Sequence, residues 1–318
     1  MNETKKKEES LFLGLLVKKF KDEGTPYIHF NWGKISLLLV VLIAFAWISM
    51  ATLLFAYFKY LKDFDRVKFS NMMLLPIKYS EHKIEMGDRH IERGLKAIDS
   101  KNYNDGLRLL RLGLIRSPGN LEGLIKLAQI YEFGLNRKDI AIEMYIDGFG
   151  HGGINNKEFC VTALRTMLSN NMDTEIINIA NEYLPKEFEK GDNPNLQTLA
   201  YAAAASSFYR GNFDKTEDYI HAFLLNESID GIILSAKVSW DRGNKFSAIK
   251  KLESSLYSFP NSDDLYEQLC YFYREIDDFD SARRYAQLRN IKSPSNPDPV
   301  IGLIYLYDKY GIEDQVTK

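Results

Sequence analysis

"DRGNKFSAIKKLESSLYSFPNS" runs from Asp241 to Ser262, and "EIDDFDSARRYAQLRNIKSPSN" runs from Glu275 to Asn296, thirty-four residues later. The letters differ but the landmarks coincide. An aromatic (Phe246 or Phe279) precedes an alanine (Ala248 or Ala282), and a proline (Pro260 or Pro294) closes each stretch. A fixed internal period of this length predicts a repeated helical unit. Earlier stretches carry parts of the same pattern: Tyr103, Gly106, Gly113 and Pro118; then Ala141 and Gly148; then Gly211, Asn212 and Phe213. The chemistry of the pattern is direct. Small residues let two helices approach closely, an aromatic fills the space beside the turn, and proline ends the second helix. One such pair cannot bury its apolar face alone, so neighbours must stack to complete a core.

With a small residue at position 8, an aromatic near 17, small residues at 20 and 27 and proline at 32, the pattern resembles the tetratricopeptide repeat (TPR) family. Ile229–Ser262 supplies Ala236, Ala248, Ser255 and Pro260; Asp263–Asn296 supplies Cys270, Phe279, Ala282 and Pro294, with Arg289 in place of the small residue at 27. The two helices are expected to cross less closely there. The resemblance covers residues 87–318 and implies an all-α, TPR-type α-solenoid. Its units fall at about 87–120, 121–154, 155–190, 197–228, 229–262 and 263–296, and Pro299–Tyr310 forms a capping helix. The third unit is degenerate, with Asp173 at position 20, and "EKGDNPN" around 189–196 is a candidate joint.

The resemblance also implies a concave groove lined by the first helix of each unit. Carried over position by position, it gives Tyr201, Phe208 and Tyr209; Ile233, Lys237, Trp240 and Asp241; Glu267, Tyr271, Arg274 and Glu275; and Tyr305 on the capping helix. These aromatics either take a protein or peptide partner or pack between repeats. Groove position 5 holds Ile233 and Glu267. The lysine-based carboxylate clamp of chaperone-binding relatives is therefore not expected.

Ile35–Phe58, "ISLLLVVLIAFAWISMATLLFAYF", carries no charged residue from end to end. As a helix it spans about 36 Å, enough for a hydrocarbon core of about 30 Å, and Trp32, Tyr57 and Tyr60 sit at its ends. The lead before it, Met1–Lys34, is too long for a cleaved signal peptide, so Ile35–Phe58 is read as a retained transmembrane helix. Residues 1–34 form a tail in which "ESLFLGLLVKKFK" (Glu9–Lys21) is either an amphipathic interfacial helix or a sticky patch in a disordered segment. Residues 59–86 are read as a juxtamembrane helical stalk interrupted at Pro76. The lysine-rich tail, with Lys18, Lys19, Lys21 and Lys34 among its cations, favours a cytoplasmic N-terminus and a repeat domain outside the cytoplasm.

A formal charge of −2 over 318 residues gives no reason to invoke nucleic acid, which usually needs a basic surface. Cys160 and Cys270 each sit in an apolar helical pattern and read as buried thiols rather than a disulfide framework or a metal site. "GFGHGG" (Gly148–Gly153) follows a helix, whereas a phosphate cradle of this form must follow a strand. His82 and His90 lie about 12 Å apart along a helix, too far for one metal ion. No catalytic residue, cofactor or metal is expected. The function that follows is a single-pass, membrane-anchored scaffold that binds a protein or peptide partner without catalysis. The alternatives are a self-assembling structural protein with homo-oligomer contacts, and an accessory subunit of an envelope enzyme complex.

Overall fold

The computed structural model describes residues 9–20, 25–62, 64, 67–292 and 296–312, so Lys21 and Pro294 lie outside the described residues. The chain divides into two compact units, Met1–Ser117 and Pro118–Lys318. The division falls after the first repeat.

The first unit opens on three strands, β1 (Glu9–Leu11), β2 (Leu16–Phe20) and β3 (Pro26–Phe30), paired antiparallel in the order β1-β2-β3. Lys18 opposes both Glu9 and Ile28. This corrects both expectations for the tail and adds one small sheet to the helices among the described residues. The apolar spacing of Leu11, Leu15 and Leu16 suggests a helix, but Phe12, Leu13 and Gly14 all have positive φ and turn the chain back on itself.

Asn31 then caps α1 (Trp32–Ala56), its side-chain oxygen accepting from the Lys34 amide, and a π-helical turn, Tyr57–Leu61, closes the helix. Together, Trp32–Leu61 is 30 residues long and apolar enough to cross a membrane by length and composition. Beyond it the stalk reading needs correction. Residues 59–86 do not run on as an isolated helix. Helices α2 (Phe69–Met73) and α3 (Leu75–Asp99) follow a break, and the segment packs beside α1. Ala51, Phe64, Val67 and Met72 are buried together against Leu54, Phe55 and Phe58. The Trp47 indole N–H donates to the Met73 carbonyl at 2.9 Å. Pro76 starts α3 instead of interrupting a helix: it sits in the first turn, where amides have no helical acceptor to lose. α3 pairs with α4 (Tyr103–Arg116) through Gly87, Gly94, Gly106 and Gly113.

The second unit repeats that pairing. Its helices are α5 (Leu121–Gln129) with α6 (Lys138–Gly150), α7 (Lys157–Ser169) with α8 (Asp173–Tyr183), α9 (Pro194–Tyr209) with α10 (Phe213–Ala222), α11 (Ile229–Asp241) with α12 (Lys245–Ser255), α13 (Asp263–Glu275) with α14 (Phe279–Lys292), and a last helix, α15 (Asp298–Lys309). One local device recurs in the six helix pairs among the described residues. The residue two before the second helix has positive φ: Lys101, Asn136, Asn171, Gly211, Gly243 and Asp277. That left-handed residue ends the first helix and aims the chain into the second. The turns follow one another at a near-constant spacing except between Asn171 and Gly211, where the gap is wider. The third repeat is therefore lengthened by the loop after Tyr183, and α7 and α8 still pack on α9 across it.

The small landmarks sit where helices meet: Ala236, Ala248 and Ala282 are fully buried. Arg289, at the position that normally holds a small residue, forms a two-pronged ion pair with Asp263 at 2.8 and 2.9 Å, linking α14 to the start of α13. The aromatic landmark divides. Phe279 packs on Tyr310 with ring centroids 4.7 Å apart, whereas Phe246 is 87% exposed. Phe246 stands one place later in its repeat than Phe279 does, and one residue turns a helix by about 100°. "GFGHGG" forms the end of α6 and a short turn, and a Cβ at Gly148 or Gly153 would run into the buried ring of Phe159. Those glycines make room for an aromatic.

Candidate functional site

The first helices of successive pairs lie side by side, α9 against α11 and α11 against α13. Their common face forms an open concavity of about 600 Å³. From α9 come Tyr201 and Phe208; from α11 come Asp230, Ile233, Lys237, Trp240 and Asp241; from α13 come Asp264, Glu267, Gln268, Tyr271, Phe272 and Arg274. The spacing explains the convergence. Ile233, Lys237 and Trp240, like Glu267, Tyr271 and Arg274, recur at four and three residues and so share one stripe of their helix.

Nine of the twelve residues carried into the expected groove line this concavity: Tyr201, Phe208, Ile233, Lys237, Trp240, Asp241, Glu267, Tyr271 and Arg274. Tyr209, Glu275 and Tyr305 do not. Tyr209, the last residue of α9, is 70% exposed and touches the Phe208 ring. Tyr305 lines a separate depression of about 230 Å³ that shares Glu267 and Arg274. Position 2 of the repeat register, applied to α11 and α13, finds Asp230 and Asp264, which the residue-by-residue reading passed over. Gln268 has no sequence signal.

The aromatics differ in role. Trp240 is half-buried, its ring stacked on Phe272 at 4.0 Å and 4°, with the Lys245 ammonium 5.0 Å from its centroid. It joins α11 to α13 and packs on their shared core. Tyr271 is 44% exposed and faces the opening. The Tyr201 hydroxyl is pushed up to about 12, first by burial and then by the charge of Asp230. Arg289 also bonds Glu267 at 3.1 Å and so fixes that carboxylate at the rim. Gln268 is 8% exposed, and its amide nitrogen has no hydrogen-bond partner among the described residues. Such a donor costs free energy until an acceptor arrives. Four carboxylates (Asp230, Asp241, Asp264, Glu267) face two cations (Lys237, Arg274), so the lining is net acidic.

Cys160 and Cys270 are buried, and burial pushes the Cys160 thiol up to about 12. Among the described residues, no group of three or more His, Cys, Asp or Glu is placed to hold a metal ion.

No family model matches the chain, and no curated protein matches it in sequence. Solved structures do resemble it. A tetratricopeptide repeat protein from Parabacteroides merdae is 16% identical with a TM-score of 0.55, over 73% of this chain and 90% of its own. Yeast Tom70 is 15% identical with a TM-score of 0.40, over 86% and 67%. The pilF protein of Pseudomonas aeruginosa is 15% identical with a TM-score of 0.33, over 74% and 89%. The first of these carries the assignment, and at such identity it is an assignment of fold: a TPR-like α-solenoid.

Proposed function

We propose that the protein is a single-pass, membrane-anchored scaffold whose concave face on α9, α11 and α13 holds a segment of a protein partner without catalysis. The observation that carries this reading is the convergence of three repeats on one open, aromatic and net acidic concavity. Its chemistry favours a basic segment with an apolar or aromatic anchor. Lysine or arginine would meet Asp230, Asp241 and Asp264, the anchor would pack on Tyr271, and a backbone carbonyl would accept from Gln268.

Site-specific photocrosslinking in cells tests it, with a photoreactive phenylalanine placed at Tyr271 or, as the control, at the exposed Phe246. The expected result is a discrete protein adduct from Tyr271 that is absent from Phe246. Equal adducts from both positions, or none from either, overturn the groove reading. Trp240→Ala is a poorer probe, because the stacked ring also joins two repeats; its loss should cost about 2–3 kcal/mol of stability.

A second reading, self-assembly, is favoured by one observation. Helix α15 leaves Val300, Ile301, Ile304 and Tyr305 exposed at the end of the array, where a cap usually presents a polar face. Light scattering on the detergent-purified chain decides it: a dimer that Ile304→Glu converts to a monomer supports self-assembly, and a monomeric wild type rejects it.

A further inference from the structure

The end of the apolar helix carries a second pocket, of about 440 Å³, which the peptide groove does not explain. Tyr57 and Phe58 of the π-helical turn form one wall. Lys62, Arg89, His90, Arg93 and Arg116 line it as well, together with Met86. No carboxylate lines it among the described residues. Arg89 is held in place: it donates to the Lys62 carbonyl and its guanidinium stands 5.1 Å from the Phe64 ring centroid. His90 Nδ1 bonds the Met86 carbonyl at 2.6 Å. Arg93 and Arg116 form no ion pair among the described residues. The Arg93 and Arg116 guanidinium groups, at one pocket and in no ion pair among the described residues, suit a phosphate, which accepts their paired N–H donors.

Depth identifies the source of that phosphate. This step rests on reading α1 as a membrane span. A hydrocarbon core of about 30 Å takes about 20 helical residues; counted from Ile35, it ends near Leu54. Tyr57 to Lys62 then lie about 5–12 Å further out, within the headgroup layer. The segment packed beside α1 agrees with this placement. Phe69, Leu74, Ile77 and Tyr79 are exposed, Ile77 at 80%. Trp47, deeper in the apolar stretch, has its indole N–H satisfied by Met73. Exposed apolar side chains and a satisfied polar donor are what the edge of a bilayer requires. From Trp47–Met73 to the ring contact of Phe58 with His82, α1 and the returning chain advance in the same direction, which carries Met86 to Arg93 outward to headgroup depth. We propose that this pocket binds the phosphate of an anionic membrane lipid, clamped by Arg93 and Arg116 with Arg89 behind them.

The test uses the full chain in neutral detergent, its thermal unfolding followed with added phosphatidylglycerol, phosphatidylcholine or inorganic phosphate. Phosphatidylglycerol should raise the Tm by several degrees and phosphatidylcholine should not. Arg93→Gln/Arg116→Gln should melt with wild type in the absence of lipid and lose most of the shift. If the double variant is itself destabilised, Arg93→Gln alone should halve the shift. An equal shift with both lipids, or a full shift in the variants, overturns the proposal. Inorganic phosphate reproducing the shift overturns the lipid source. The anchor is read separately: resistance of the chain to alkaline extraction from pure phosphatidylcholine vesicles. Extraction from those vesicles refutes the span, whatever the lipid shift does; retention with no phosphatidylglycerol shift refutes only the pocket.

Discussion

At Glu253 two tyrosine hydroxyls converge on one carboxylate, Tyr273 at 2.9 Å and Tyr285 at 2.7 Å, with their rings stacked at 5.5 Å. Burial, and then the bond to Glu253 and its charge, push Tyr285 from 10.0 up to about 12 and raise Tyr273 as well. The folded state therefore keeps protons that the unfolded chain has begun to lose. The stabilisation is complete below pH 10 and disappears as the pH rises through about 12. Denaturant titrations of the full chain should show stability falling across that interval, and Glu253→Gln should lose less of it, because the neutral amide no longer holds the tyrosine protons. A variant that loses as much as wild type would show that the carboxylate is not the cause. Ala248 makes a steric counterpart. It is fully buried in the core shared by α11, α12 and α13. Ala248→Arg should cost at least about 2 kcal/mol, and an unchanged denaturation midpoint would refute the repeat register. Residue identity gave Ala248 a place before any coordinates; nothing in the sequence foretold that Glu253 would collect two hydroxyls.

Each helix pair depends on two backbone requirements with opposite consequences for substitution. Where α3 crosses α4, a Cβ at Gly87 would stand 2.8 Å from the Gly113 carbonyl oxygen and 2.7 Å from the Ser117 side chain. Alanine at an open helical position gains up to about 1 kcal/mol over glycine. Here the backbone cannot yield, so Gly87→Ala should instead destabilise by about 1–3 kcal/mol. In the turn that joins the same helices, Lys101 holds φ at +63° with an ordinary side chain. Lys101→Gly should relieve that strain and stabilise by about 0.5–1 kcal/mol. Thermal melts of the two variants should move in opposite directions, and a shift of the same sign in both would mean that this turn or this crossing is misplaced. Element type was legible because helical periodicity is local. The failures were local too. Phe12 to Gly14 overrode an apparent helix, and Pro76 was read as a stop although the same ring suits a first turn.

Sidedness is a property of the whole molecule. Lysines are concentrated in the tail that precedes the apolar helix, and long domains cross membranes largely regardless of charge. The repeats are accordingly expected outside the cytoplasm. Protease added to intact spheroplasts should degrade the repeat domain; complete protection, with degradation only after lysis, would reverse the orientation.

The sequence alone determined that this chain would be a stack of helix pairs. Small residues and prolines at a near-constant spacing leave few other ways to bury so many apolar stripes. The same register carried enough geometry to bring Tyr201, Lys237 and Tyr271 to one face, since a stripe on each first helix survives stacking. Only the tertiary structure decided which aromatics are occupied by their neighbours. Trp240 lies flat on Phe272 because α11 and α13 meet at that height, a contact between successive repeats that no local pattern encodes. It also decided that the chain after the apolar helix returns to cover Ala51 and Trp47, and that Arg116 joins Arg93 at one pocket. Burial and charge clustering are sums over neighbours, and the neighbours are chosen by the fold.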